Sequence, residues 1–336
     1  MALRDCGERL LGAAWVLVAF AYFAPALGLT IELTDVAPDR AERQRRAAEG
    51  RLPLPGTPDL ANLDQRLSSK GLALGHPVFI RIFKAESELE LWMRKGSRFV
   101  LFDNYPICHW SGTIGPKIRE GDKQNPEGFY SVRLRQLHVR GRWPRSLNLG
   151  FPNSYDKALA RTGSYILVHG GCSSVGCFAM TNAVMEEIYT LTEKALKAKQ
   201  DHILVHVFPF RMTHENLERF SSNGWNTFWQ NLKEGHDAFE ATRVPPRIDV
   251  CGGRYVVQRV SPAETAEHER LSAASEGTRD GQRDVPDAPC ARGAASAETG
   301  RIVAGRVTKP VPRAQTATHE EQAISAQIQE VIFAPR

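Results

Sequence analysis

A histidine and a cysteine eight positions apart, separated by a glycine- and serine-rich turn, are the residues of this 336-residue chain best suited to covalent chemistry. They lie within residues 165–180, YILVHGGCSSVGCFAM, where an apolar run ends in His169-Gly170-Gly171 and a polar turn leads to Gly176-Cys177. The thiolate is the reactive form of cysteine, and a neighbouring imidazole or helix N-terminus lowers the thiol pKa from about 8.5. A capped helix starts about four residues after Cys177, and His169 sits across the turn. Gly176 omits a side chain where backbone N–H groups would face a substrate carbonyl, as an oxyanion hole requires. Three other readings stay open. His169, Cys172 and Cys177 are metal-ligand types, although CxxC or HxxxH pairing and a fourth donor are missing. Cys172 has two candidate disulfide partners, Cys177 and Cys108, and all these thiols could equally be inert and buried.

Holding such a pair in place takes a strand before the histidine and a helix after the cysteine. Apolar runs at 77–83, 97–102, 128–134, 164–168 and 203–208 predict strands. Many of the intervening segments contain Gly, Pro, Asn or Asp, the turn formers. Thr181 or Asn182 can cap a helix running to about Lys197, with Val184, Ile188, Leu191 and Ala195 on its apolar face. Lys194, Lys197 and Lys199 complement its C-terminal dipole. A second helix follows Thr213, burying Leu217, Phe220, Phe228, Trp229 and Leu232, with an interruption at Asn223-Gly224. There is no βαβ rhythm and no Gly-rich phosphate loop. The expected fold is therefore α+β, mainly β, with a few flanking helices.

The chain changes character outside this domain, which is expected to span 72–260. Residues 10–29 carry no charge and would form about 30 Å of helix, and Ala24-Pro25-Ala26 has the small-x-small form of a signal-peptidase site. Residues 1–30 are thus expected to be a signal peptide or a single inner-membrane anchor; a buried core helix would usually show a polar stripe. Residues 31–71, polar and rich in Pro and Arg, read as a solvated linker with one short helix. No Trp or Tyr follows Tyr255 and Phe333 is the one later Phe, so 261–336 is expected to be a disordered tail, with helical spacing at 323–333. A net charge of +5, with no basic stripe interleaved with aromatics, excludes a nucleic-acid footprint. Six cysteines are too few for a disulfide scaffold.

Within the domain, the chain resembles the L,D-transpeptidase (YkuD-type) catalytic domain, whose signature is His-Gly followed downstream by Ser-x-Gly-Cys. Those residues are His169-Gly170 and Ser174-Val175-Gly176-Cys177. The resemblance looks closest to the YafK-like branch. It runs through Phe79-Ile80-Arg81-Ile82-Phe83-Lys84, Leu89-Glu90-Leu91-Trp92, Tyr105-Pro106-Ile107-Cys108, Ser111-Gly112 and Gly115-Pro116-Lys117. It continues at Gly121-Asp122, Pro126-Glu127-Gly128-Phe129-Tyr130, Pro152-Asn153, Arg161-Thr162-Gly163 and Phe208-Pro209-Phe210-Arg211. Many members carry His before the Gly-Cys and Arg two residues after it, where this chain has Val175 and Ala179.

The resemblance implies a β-sandwich-like catalytic fold and cysteine acyl transfer on diaminopimelate-containing stem peptides of peptidoglycan, in the periplasm. It makes Cys177 the nucleophile and His169 the general base and acid, with the Gly170 carbonyl orienting the imidazole. Backbone N–H groups of Val175, Gly176 and Cys177 become the oxyanion hole, and Lys117, Arg161 and Ser174 the candidate substrate contacts. No metal and no cofactor are implied. An amine attacking the acyl-enzyme makes a crosslink or attaches a lipoprotein, whereas water cleaves one. The YafK-like branch implies the cleaving outcome, release of an outer-membrane lipoprotein from the wall. A catalytically inactive wall-binding module of the same fold is the alternative. His202 and His206, four apart in a strand, read as packing or surface residues, and Cys251 and Cys290 as incidental thiols.

Overall fold

The computed structural model describes residues 40–264; the expected export segment and nearly all of the expected tail lie outside them. In chain order the first elements are α1 (Arg40–Ala48), α2 (Leu63–Ser69), β1 (Val78–Phe83), β2 (Glu88–Lys95), β3 (Arg98–Pro106) and β4 (Gly128–Val132). Next come β5 (Leu137–His138), β6 (Ser146–Asn148), α3 (Ser154–Ala158), β7 (Leu167–His169), β8 (Phe178–Ala179) and α4 (Asn182–Lys197). The described residues close with β9 (Ile203–Phe208), α5 (His214–Arg219), α6 (Asn226–Thr242), β10 (Arg247–Cys251) and β11 (Arg254–Gln258). None of the described helices is long and apolar enough to cross a membrane.

The main sheet has the order β3-β2-β1-β9-β4 and a smaller one β5-β6-β7-β8, with β10-β11 a separate hairpin. β1 and β9 pair in parallel at the centre of the main sheet, and their other neighbours are antiparallel. A parallel pair needs a long crossover; here that crossover carries the small sheet and α4, and with them His169 and Cys177. Period-two alternation splits β9 between two cores. Ile203, Val205 and Val207 join Ile80, Val168 and Phe178 and the α4 residues Val184, Ile188, Leu191 and Ala195. Leu204, His206 and Phe208 face the other way, toward rings that include Phe79, Phe129 and Phe239.

The α4 expectation holds to the residue, with the Thr181 hydroxyl accepting the Val184 N–H as its cap. The helix after Thr213 is two helices, α5 and α6, separated at 220–225 around Asn223. The run at 164–168 becomes a strand only from Leu167, because Tyr165 has φ +61°, a turn conformation and not a strand one. β2 has no clear sequence signal because charges interrupt its apolar positions. They are tolerated because they are paired: Glu90 lies 2.7 Å from Arg81 and also binds Arg211. Most side chains of the expected linker are exposed or half-buried, but two short helices form in it and parts of it dock on the domain. Leu54 and Leu67 are buried, and Arg66 binds Glu187 at 2.6 Å and also Asp103. Arg66 and Lys70 reach partners on the domain, whereas Arg45 and Arg51 pair with Glu42 and Glu49 inside the segment and stay largely exposed. One fully buried ion pair fixes the long β3–β4 connection. Glu127 accepts from Lys84 at 2.9 Å, from the Gly115 N–H at 2.6 Å and from Trp229 Nε1 at 2.8 Å.

Candidate active site

β7 and β8 run parallel with Val168 opposite Phe178 and His169 opposite Ala179. Extending that register one residue places Cys177 beside Leu167. Alternation then puts the Cys177 and His169 side chains on one face of the small sheet. The local bonding agrees: the Leu167 N–H donates to Cys177 Sγ at 3.2 Å, and the thiol donates to the Tyr165 carbonyl at 3.8 Å. His169 is 1% exposed, and its Nδ1 lies 2.6 Å from the Gly170 carbonyl. A carbonyl only accepts, so Nδ1 carries the proton and Nε2 keeps a lone pair. Trp143 stacks on the imidazole with centroids 4.4 Å apart and planes 28° from parallel. Gly171 makes room for that indole. A Cβ there would sit 2.5 Å from Trp143 Cζ3, and φ is +96°.

The turn between histidine and cysteine is tied to the segment after β3 at three points. Cys108 and Cys172 form a disulfide with Cα atoms 5.1 Å apart, leaving Cys177 a free thiol. Ala179 exchanges backbone bonds with His109 at 2.8 and 3.0 Å. Ser111 Oγ accepts the Gly176 N–H at 2.6 Å, while Ser174 Oγ accepts the Cys177 N–H at 2.9 Å. Two of the three expected oxyanion donors therefore already bind serine hydroxyls, and Val175 has an exposed side chain. Gly176 is required by its φ of +89° and not by crowding, since an added Cβ would meet only Ile166 Cδ1 at 3.8 Å. The metal reading loses Cys172 to the disulfide, and the described residues hold no group of three or more His, Cys, Asp or Glu arranged for a metal.

Electrostatics favours a neutral pair at rest. Burial pushes the Cys177 thiol up, opposed by the Leu167 N–H, the Ser174 hydroxyl and the charge of Lys117. Burial also lowers the His169 pKa below its usual 6.5, opposed by the Gly170 carbonyl. The expected net lowering of the thiol does not occur, because desolvation outweighs the groups that favour thiolate. Lys117 and Arg161 are both buried with carboxylates. Lys117 Nζ is 2.6 Å from Asp122 Oδ1, and Arg161 is 2.9 Å from Asp156 Oδ1 with Tyr155 and Phe228 rings beside it. Of the two, Lys117 acts on the thiol through its charge.

Sequence reasoning missed Trp143, which sits in an Arg- and Pro-rich loop without periodicity, and the role of Ser111. It also missed the segment before the domain. Leu52, Pro53 and Leu60 wall a cavity of about 500 Å³ whose other side is Gly171, Cys172, Thr181 and Asn182. The signal available for that wall was the apolar spacing of Leu52, Leu54 and Leu60 inside an otherwise polar stretch.

Residues 77–207 match the model of the YkuD L,D-transpeptidase catalytic domain. Over 186 residues the chain is 46% identical to YafK of Escherichia coli (strain K12), whose own name gives L,D-transpeptidase provisionally; the match covers 55% of this chain and 76% of that protein. The chain belongs to the L,D-transpeptidase family. The same identity and coverage hold for YafK of Escherichia coli O157:H7. Among solved structures, the helical cell shape determining protein Pgp2 of Campylobacter jejuni is 16% identical, covering 63% of this chain and 76% of that one, at a TM-score of 0.33. A mutant form of Pgp2 gives 20% identity, 52% and 62% coverage and a TM-score of 0.32. Values this low carry no argument about substrate. The mixed α+β architecture is that of the family, and in it the L,D-transpeptidase signature residues are those brought together at β7, β8 and the turn between them.

Proposed function

We propose that this L,D-transpeptidase family member is an exported cysteine acyl-transfer enzyme acting on diaminopimelate-containing stem peptides of peptidoglycan. The observation that carries the reading is the free thiol of Cys177 on the same sheet face as His169, whose tautomer is set by the Gly170 carbonyl. With both groups neutral at rest, proton transfer accompanies attack. Cys177 Sγ–H leaves the Tyr165 carbonyl and gives its proton to His169 Nε2, while sulfur bonds to the substrate carbonyl carbon. The tetrahedral oxyanion takes the Gly176 and Cys177 N–H groups in place of Ser111 and Ser174 hydroxyl oxygens, with the Val175 N–H as a third donor. As the intermediate collapses, the C–N bond breaks and the imidazolium protonates the departing amine. Water or an amine, deprotonated by His169, then attacks the thioester and frees the thiol. A single oxyanion donor is typically worth about 2.7–4 kcal/mol of barrier.

The narrower reading is hydrolysis of the linkage between an outer-membrane lipoprotein and the wall. Lys117, Arg161 and Ser174 are proposed as substrate-side residues, Lys117 and Arg161 acting while still held by Asp122 and Asp156. Periplasmic placement is supported by the Cys108–Cys172 disulfide, since such bonds persist in oxidising compartments. The N-terminal segment is proposed as the export signal or inner-membrane anchor.

Incubating the protein, beside Cys177→Ala, with lipoprotein-bearing sacculi and with free muropeptides, then reading products by mass spectrometry, tests both levels. Wild type alone should alter the profile, and released lipoprotein would single out the narrower reading. Identical profiles for both proteins on every substrate would leave the inactive wall-binding module as the reading. Acylation of Cys177 by a carbapenem is a quicker check on the thiol.

A further inference from the structure

The described residues enclose a cavity of about 740 Å³ away from the Cys177 cleft, within the usual size range of ligand sites. It lies on the face of the main sheet opposite the one packed on α4. Phe129 and Ser131 of β4, Arg133 just after it, and Leu204 and His206 of β9 line it, while Val132 and Val205 point into the core below Cys177 and His169. Four cations stand around the basin: Arg133, Arg135, Lys157 and Arg247. No Asp or Glu is among the described lining residues. Arg133 pairs with Asp201 at 2.6 Å, just outside; the other three form no salt bridge within the described residues. Like charges gathered at a concave surface raise its affinity for an anion. Half-buried Pro152, Pro245, Ile248 and Val250 supply apolar walls between the cations, with the Phe129 and Tyr255 rings buried beneath them.

A bare inorganic anion would need the cations but not the walls or the volume. We infer that the basin binds a carboxylate-bearing glycopeptide segment of peptidoglycan, guanidinium and ammonium groups taking the carboxylates and the proline and aliphatic side chains taking apolar sugar and methyl faces. Cys177 then works on one part of the wall while the opposite face holds another. The inference rests on peptidoglycan being the substrate.

The test is co-sedimentation of the full chain with isolated sacculi across a salt series, in a Cys177→Ala background that prevents turnover. A variant with Arg133→Ser, Arg135→Ser, Lys157→Ser and Arg247→Ser should bind sacculi about ten-fold or more weakly, with a flatter salt dependence. In the background with Cys177 intact, the same four changes should leave turnover of a soluble muropeptide within about two-fold of wild type, because the sites are separate. Unchanged sacculus binding by the fourfold variant overturns the basin proposal while muropeptide turnover upholds the enzyme. A parallel loss of binding and turnover, with an unchanged circular dichroism spectrum, also overturns it, since the cations would then serve the Cys177 cleft. If the wild type neither binds sacculi nor turns over muropeptide, the peptidoglycan reading fails first.

Discussion

Two regions of the molecule bury a histidine almost completely, and burial lowers the pKa of both. Around His169 the surroundings are directional: a carbonyl on Nδ1, an indole against the ring face, and a glycine turn carrying a thiol onto the same side of the sheet. Around His206 they are not. Its ring meets Phe79, Phe129 and Phe208 edge-on, and neither nitrogen has a hydrogen-bond partner. Burial and a displaced pKa are therefore common to a candidate general base and to a packing residue. What separates them is whether one nitrogen is fixed so that the other is presented.

The largest expected effect sets the two regions furthest apart. His169→Ala should lower kcat/KM by about 10²–10⁴-fold, the usual worth of a positioned base, whereas His206→Phe should leave it nearly unchanged. Steady-state assays on one muropeptide read both; comparable losses would erase the distinction. Gly171→Val comes next. It drives a side chain into Trp143 at a positive φ, so activity should fall by about ten-fold or more while the fold survives at a cost of about 1–3 kcal/mol. Trp143→Ala opens His169 to water and should move the acid limb of the kcat/KM profile upward toward 6.5. In wild type that limb lies below 6.5, because the imidazole stays unprotonated further into acid. An unmoved limb would show that the indole does not set the histidine's environment.

The smallest effect is on stability. The native-state pKa of His206 is depressed, so its contribution is complete above about 6.5 and is lost as pH falls, when the unfolded chain takes up a proton that the native state refuses. His206→Phe should flatten the decline in unfolding free energy below pH 6.5 by at most about 1.4 kcal/mol per pH unit. Urea titrations at several pH values would show it, and equal slopes would place the acid sensitivity elsewhere.

Much of this arrangement was legible in the residues. The β1 and β9 runs are apolar but for one residue each, Arg81 and His206, and Thr181 gives α4 a defined start, so the core elements declare themselves locally. The His169–Cys177 pair was legible because a strand, a glycine turn and, after the two residues of β8, a helix cap follow in order. What stayed hidden depends on partners distant in sequence. β2 is a strand because Arg81 and Arg211 neutralise its glutamates, and α2 docks on the domain because Arg66 meets Glu187. Gly176 was assigned to the right place for an incomplete reason, since dihedral angle and not space demands it. The direction of the thiol shift was missed because desolvation cannot be read from spacing.

The Cys108–Cys172 bond has a topological consequence. It closes a covalent ring across 64 positions that contains Lys117, Glu127, Trp143, Asp156, Arg161 and His169, with Cys177 five residues past the closure. Backbone cleavage anywhere inside that ring, for instance in the exposed loop around Arg142, leaves both fragments on one molecule. A chain nicked there would migrate as intact protein on a non-reducing gel and fall into two pieces only when the sulfurs are reduced.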